Sequence, residues 1–135
     1  MKKINSAIAI AGLVLWLGSS TASWGWRSQP IQNVIDAPVT STAPISVAKV
    51  KTSILVAGTE LGWKMADIGP GVIQGTLNLR KHTAVVDITY TASKYSIVYK
   101  SSINLDEKDG QIHKNYNSWV QNLSRKIGAE ILRQQ

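Results

Sequence analysis

The stretch Ile112-His113-Lys114-Asn115-Tyr116-Asn117-Ser118-Trp119-Val120-Gln121-Asn122-Leu123-Ser124-Arg125-Lys126-Ile127 decides the fold. Its apolar residues, continued to Ile131, fall at 112, 116, 119, 120, 123, 127 and 131. Steps of three and four residues place them on one face of a helix. Lys114, Gln121, Arg125, Lys126 and Arg133 fall largely off that face. A terminal helix with so marked a stripe must cover an apolar surface. Trp119, at the centre of the stripe, is expected to be buried against it.

The strands that would supply this surface lie immediately upstream. Ile73, Leu77 and Leu79 alternate with Gln74, Thr76, Asn78 and Arg80, and Gly75 within the run suggests a bulge. Ala84, Val86, Ile88 and Tyr90 alternate with Thr83, Val85, Asp87 and Thr89; Tyr95, Ile97 and Tyr99 follow the same period. A weaker alternation over Trp63–Ile68 ends at Gly69-Pro70-Gly71, a turn signal. Short connections predict hairpins, and hence an antiparallel meander of four strands with one apolar face. A first helix is expected after Ser46, a suitable N-cap, with Val47, Val50, Ile54, Ala57 and Leu61 on one face and Gly62 ending it. The predicted fold is α+β: a two-layer sandwich in the order helix, four strands, helix.

The chain of 135 residues has room for one domain. Lys2 and Lys3, the apolar run Ala7–Gly18 and the small residues Ser19–Ser23 form the three parts of a secretory signal peptide. Residues 1–22 are read as that leader, cleaved after Ala22, and the periplasm as the destination. The alternative is an uncleaved inner-membrane anchor with Trp24 and Trp26 at the interface, although the run is shorter than the ~20 residues of a spanning helix. Residues 23–45, with Pro30, Pro38 and Pro44, read as a tether, and residues 46–135 as the single domain.

Because the chain has no cysteine, disulfides, thiolate metal sites and thiol catalysis are ruled out. Loss of Lys2 and Lys3 takes the 15 basic residues to 13 against 8 acidic, a net charge of +5. That favours anionic surfaces, but the basic residues are scattered and export removes nucleic acid as the usual partner. No short metal-ligand spacing links His82 or His113 to carboxylates, and no serine sits in a glycine-rich elbow, so neither a metal nor another cofactor is called for. His82 reads as a hairpin-turn residue and His113 as a polar residue bonding locally at a helix start. Trp63, Trp119, Tyr90, Tyr95 and Tyr99 read as core rather than as an aromatic groove.

The order Gly62-Trp63, Arg80-x-His82-x-Ala84-x-Val86-x-Ile88-x-Tyr90, Tyr95-Ser96-Ile97-x-Tyr99 and Ile112-His113-x-Asn115-Tyr116-Asn117-x-Trp119-x-x-Asn122-Leu123 resembles a family of small bacterial envelope proteins, many of them lipoproteins. The resemblance runs over roughly residues 47–131 and implies an exported envelope domain, with no catalytic role attached to it. The lipid-bearing cysteine of the lipoprotein members is missing here, so a lipid anchor does not carry over.

The remaining candidates cluster on the last helix. Asn115 reads as its N-cap; the functional alternative is a ligand or partner site of His113, Asn115 and Asn117 at the helix N-terminus, where free amides favour anions. Lys114 with Arg125, and Lys126 with Arg133, form two basic rows suited to anionic lipid, with Glu130 subtracting from them. The expected function is therefore a non-enzymatic binding module with an envelope protein or an anionic lipid surface as partner. The competing reading is a small hydrolase or ligand-binding enzyme built on His113 and its neighbouring asparagines. Polar groups converging on His113 in a concavity would favour the enzyme, and an open face or sheet edge the module.

Overall fold

A computed structural model describes residues 27–135. The expected leader and its cleavage point lie outside these residues. The first helix, α1 (Val47–Glu60), starts as expected: the Ser46 hydroxyl accepts from the Lys49 N–H at 3.2 Å. Val50, Ile54 and Ala57 are fully buried, whereas Val47 and Leu61, the ends of the same stripe, are exposed. Gly62 ends the helix at φ +88°. Its N–H reaches the Thr59 carbonyl (3.1 Å), and the Trp63 N–H reaches that of Gly58 (2.9 Å). This closed ending needs a left-handed residue, which glycine supplies without a Cβ penalty.

Four strands follow: β3 (Lys64–Gly69), β4 (Val72–Leu79), β5 (His82–Tyr90) and β6 (Lys94–Ile103), each antiparallel to the next. The register sets Ile73 opposite Ile88, Leu77 opposite Ala84, Ile88 opposite Ile97 and Tyr90 opposite Tyr95, so the apolar alternates share one face. Leu79, the last of the β4 alternates, is 44 % exposed beyond that core. Gly75 keeps regular register, paired with Met65 and Val86, and makes no bulge. Its missing side chain admits Met65, Trp63 and Val86, each 3.3 Å from where a Cβ would stand. Irregularities fall instead in β3, where Ile68 is extra between the pairs Asp67–Ile73 and Gly69–Val72, and in β6, where Lys100 is extra between Val85–Ser101 and Val86–Tyr99.

The meander is not the whole sheet. A fifth strand, β2 (Val34–Pro38), lies antiparallel on β6, giving the order β2-β6-β5-β4-β3. A short strand β1 (Ser28–Pro30) pairs with β7 (Gln111–His113) in a separate two-stranded sheet. Both additional N-terminal strands come from the stretch read as a tether, which corrects the expected count of four. Prolines were the reason for that reading, yet Pro30 and Pro38 stand at strand ends, where a missing N–H is tolerated.

The last helix, α2 (Lys114–Arg133), docks as its stripe predicts. Ile112, Tyr116, Val120, Leu123, Ile127 and Ile131 are at most 1 % exposed and join the α1 and sheet residues in one core. The general α+β class holds. Trp119 departs from expectation: it is only partly buried, its ring tilted against His82 with centroids 6.3 Å apart. Tyr116 takes the central place, edge-on to Tyr99 at 5.5 Å. Its hydroxyl finds no hydrogen-bond partner among the described residues, and burial holds its pKa well above the ordinary tyrosine value.

An unpartnered buried hydroxyl costs about 1–3 kcal/mol, so Tyr116→Phe should leave the melting midpoint unchanged or raise it. Tyr116→Ala should cost about 3–5 kcal/mol, and Trp119→Ala clearly less. Thermal and urea denaturation check both orders; a destabilised Tyr116→Phe variant would reveal a partner for the hydroxyl.

Candidate functional site

The loop after β6 turns back through residues at positive φ: Asn104 (59°), Asp106 (53°), Asp109 (52°) and Gly110 (79°). Asn and Asp tolerate this region better than other side-chain-bearing residues. Lys108 and Gln111 exchange backbone hydrogen bonds of 3.0 Å across Asp109-Gly110, a two-residue turn with both central residues left-handed. The loop so shaped holds Asp106, Glu107, Lys108 and Asp109 along one wall of a cleft of about 700 Å³. Arg27 and Ser28, at the start of β1, contribute to the lining, and Gln111 and His113 of β7 complete it.

His113 therefore does line a concavity. It also caps α2: its Nδ1 accepts the Asn115 N–H at 3.1 Å, which corrects the assignment of that role to Asn115. The reason is that β7 runs directly into the helix, leaving Asn115 inside the first turn. A nitrogen that accepts an N–H carries no proton, so the neutral ring keeps its proton on Nε2. Ser28 stands opposite His113 in the β1–β7 register, but the ring's lone pair is already engaged in the cap. In this arrangement His113 is not set as a base toward Ser28.

Asn117 lies one turn further and is 3 % exposed. Its Oδ1 accepts the Gln32 N–H at 3.0 Å, and its Nδ2 donates to Gln29 Oε1 (3.1 Å) and to the Pro30 carbonyl (3.0 Å). The amide is thus committed to the N-terminal segment. Lys114 is exposed beside it, and its backbone N–H donates to the Arg27 carbonyl at 2.8 Å.

The other predicted basic residues lie toward the far end of α2. Lys126 meets Glu60 at 2.7 Å and Glu130 at 3.6 Å, and Arg133 meets the same Glu130 at 3.2 Å. The hydrogen bond from Lys126 holds the Glu60 carboxyl below its ordinary pKa and, in turn, raises that of Lys126. Arg125 donates to Asn122. The structure brings His113, Lys114 and Asn117 together and separates them from Lys126 and Arg133, which lie twelve and nineteen residues beyond Lys114 along α2, or roughly 18 and 28 Å at 1.5 Å per residue.

On sequence alone Ser101–Gln111 reads as a polar loop with Asp106-Glu107-Lys108-Asp109-Gly110 at its tip, a solvated connection, while Arg27 and Ser28 fall in the stretch read as tether. The available signal was Asp109-Gly110, a strong hairpin dipeptide, which brings a second strand back toward the helix start. What sequence could not show is the ion pairing elsewhere. Asp36 meets Lys94, Asp67 meets Lys51, Asp87 meets Lys100, Glu60 meets Lys126, and Glu130 meets Arg133. Asp106, Glu107 and Asp109 join no ion pair among the described residues. No cluster of three or more His, Asp or Glu among those residues is placed to hold a metal ion. No described helix is long and apolar enough to cross a membrane.

No family model, no curated protein and no solved structure matches the chain.

Capping by an imidazole predicts a specific pattern of substitution. His113→Ala should cost about 0.5–2 kcal/mol in urea denaturation, and His113→Asn, which keeps a capping acceptor, should recover most of it. Equal losses in both variants would show that the imidazole contributes by packing and not by the cap.

Proposed function

We propose that this chain is an exported domain of the cell envelope that binds its ligand without turning it over, and that the ligand is a cationic segment of a partner protein seated in the cleft beside His113. One observation carries the reading. In a chain with net charge +7, the three carboxylates that join no ion pair among the described residues line one cleft together, with Arg27 and Lys108 beside them. Five other acids are engaged by lysine or arginine. Carboxylates left unpaired on a basic protein form a local negative field that attracts a cation against the overall charge. The N-terminal leader pattern and the family resemblance support the envelope as the location.

The anionic-lipid reading is less favoured, because Glu60 and Glu130 offset Lys126 and Arg133. The hydrolase reading has one observation behind it, the position of Ser28 opposite His113 in the cleft. Against it stands the engaged Nδ1. A fluorophosphonate that labelled Ser28 would reverse that preference.

The test uses the protein isolated from the periplasm, where intact-mass measurement should give a chain starting at Ser23 or Trp24. Trilysine should bind weakly at low ionic strength and triglutamate should not, read by calorimetry. Exposed charge pairs contribute about 0.2–1 kcal/mol each, so the triple variant Asp106→Asn, Glu107→Gln, Asp109→Asn should weaken trilysine about tenfold. Equal affinity for both peptides, or an unaffected triple variant, would refute the cleft as the cation site.

A further inference from the structure

We propose that residues 27–39 form a strap that opens and closes as a unit, with Asn117 as its latch, and that closure of the strap completes the cleft. The second half of this inference rests on the cation-binding reading given above; the first half stands on geometry alone.

None of residues 27–39 is buried. Ile31, Val34, Ala37 and Val39 are only partly buried where they pack against the core. The segment is held chiefly by hydrogen bonds spread along its length. The Lys114 N–H donates to the Arg27 carbonyl at 2.8 Å, and the Ile31 N–H donates to Gly110 at 2.8 Å. Asn117 takes three bonds in the middle, to Gln29, Pro30 and Gln32. Asn33 Oδ1 accepts the Tyr99 N–H at 2.9 Å, and Ser96 Oγ accepts the Asp36 N–H at 2.9 Å. The Val39 N–H ends the series on the Ser93 carbonyl at 2.8 Å. Net hydrogen bonds are individually modest, and segments with little buried apolar surface open at a fraction of the global cost.

The strand pairing is weak in its own right. The β2 ladder shifts register between Val34 and Ala37, and Asp36 sits at φ +50°. Asn117 differs from the other contacts: it is buried, belongs to the best-packed helix, and contacts three strap residues at once. Removing its amide therefore releases the strap from its most rigid support. Two consequences follow from the position of the strap. Arg27 and Ser28 form part of the cleft, so an open strap leaves the cleft incomplete. The edge of β6, which β2 covers, is uncovered at the same time. A ligand that needs the closed cleft shifts the strap toward closure, and by linkage the strap sets the ligand's affinity.

Amide hydrogen exchange on the mature protein tests the proposal. Strap amides such as Ile31, Gln32 and Val39, together with Tyr99, should exchange at one common rate, faster than the amides between β4 and β5. Asn117→Ala should speed that set at least tenfold and leave the β4–β5 amides unchanged. Val120→Ala, which weakens the core of the same helix, should speed both sets. Asn33→Ala, at an exposed position, should reproduce the selective effect more weakly and guards against an Asn117 variant that fails to fold. Strap amides that exchange independently, or with the β4–β5 set, overturn the unit. Trilysine at ten times its dissociation constant should slow the strap set about tenfold and spare the core. Binding without that slowing overturns the coupling. Absence of binding to the wild type refutes the cation site, while the ligand-free exchange still decides the strap.

Discussion

The burial of one apolar row, from Ile112 of β7 through Tyr116, Val120, Leu123 and Ile127 to Ile131 of α2, is the constraint on which the other features depend. With no cysteine to staple the chain, the domain is held together by this apolar layer and the sheet face beneath it. Docking the stripe also fixes the orientation of every other residue on the helix. Asn117, next to Tyr116, is thereby aimed at the N-terminal segment, and His113 is held where β7 becomes helix. One packing event positions the core, the latch and one wall of the cleft.

Charge is arranged around that scaffold unevenly. The far end of α2 neutralises itself through Glu60 and Glu130, and α1 is tied to β3 by Lys51 and Asp67. Lys51–Asp67 and Lys126–Glu60 are partly exposed and contribute little to stability, whereas Glu130 is buried and depends on Lys126 and Arg133 for compensation. The effect of these pairs is on the field: they offset Lys126 and Arg133 on the surface that the sequence singled out, while Asp106, Glu107 and Asp109 of the loop after β6 join no ion pair among the described residues. A helix surface that reads as basic in one dimension is thus partly offset, by Glu130 of the same helix and by Glu60 of α1.

Much of the architecture was legible because it is local. The period of α2, the alternation in β4, β5 and β6, Ser46 as a cap and Gly62 as a stop each depend on residues within one or two turns of one another. Misreadings came where a distant partner decides. Residues 28–38 look like a tether because their prolines and polar residues give no period of their own; β6, β7 and Asn117 make them strands, with separations of more than fifty residues. His113 displaced Asn115 as the cap because the preceding strand set where the helix begins. Of the candidate site, His113 was found in its cleft, whereas the acids opposite were dismissed as a solvated turn. Their significance lies in their joining no ion pair among the described residues, and only a three-dimensional account of the other acids reveals it.

The claim that binds these points together is that residues 27–38 belong to the folded unit and help to build its site. The most direct measurement compares a chain beginning at Ser23 with one beginning at Val39, by thermal denaturation and by trilysine titration. The structure predicts that the shortened chain melts at a lower temperature, or fails to fold, and does not bind trilysine. An unchanged midpoint with unchanged binding would contradict it and return those residues to the role of a tether.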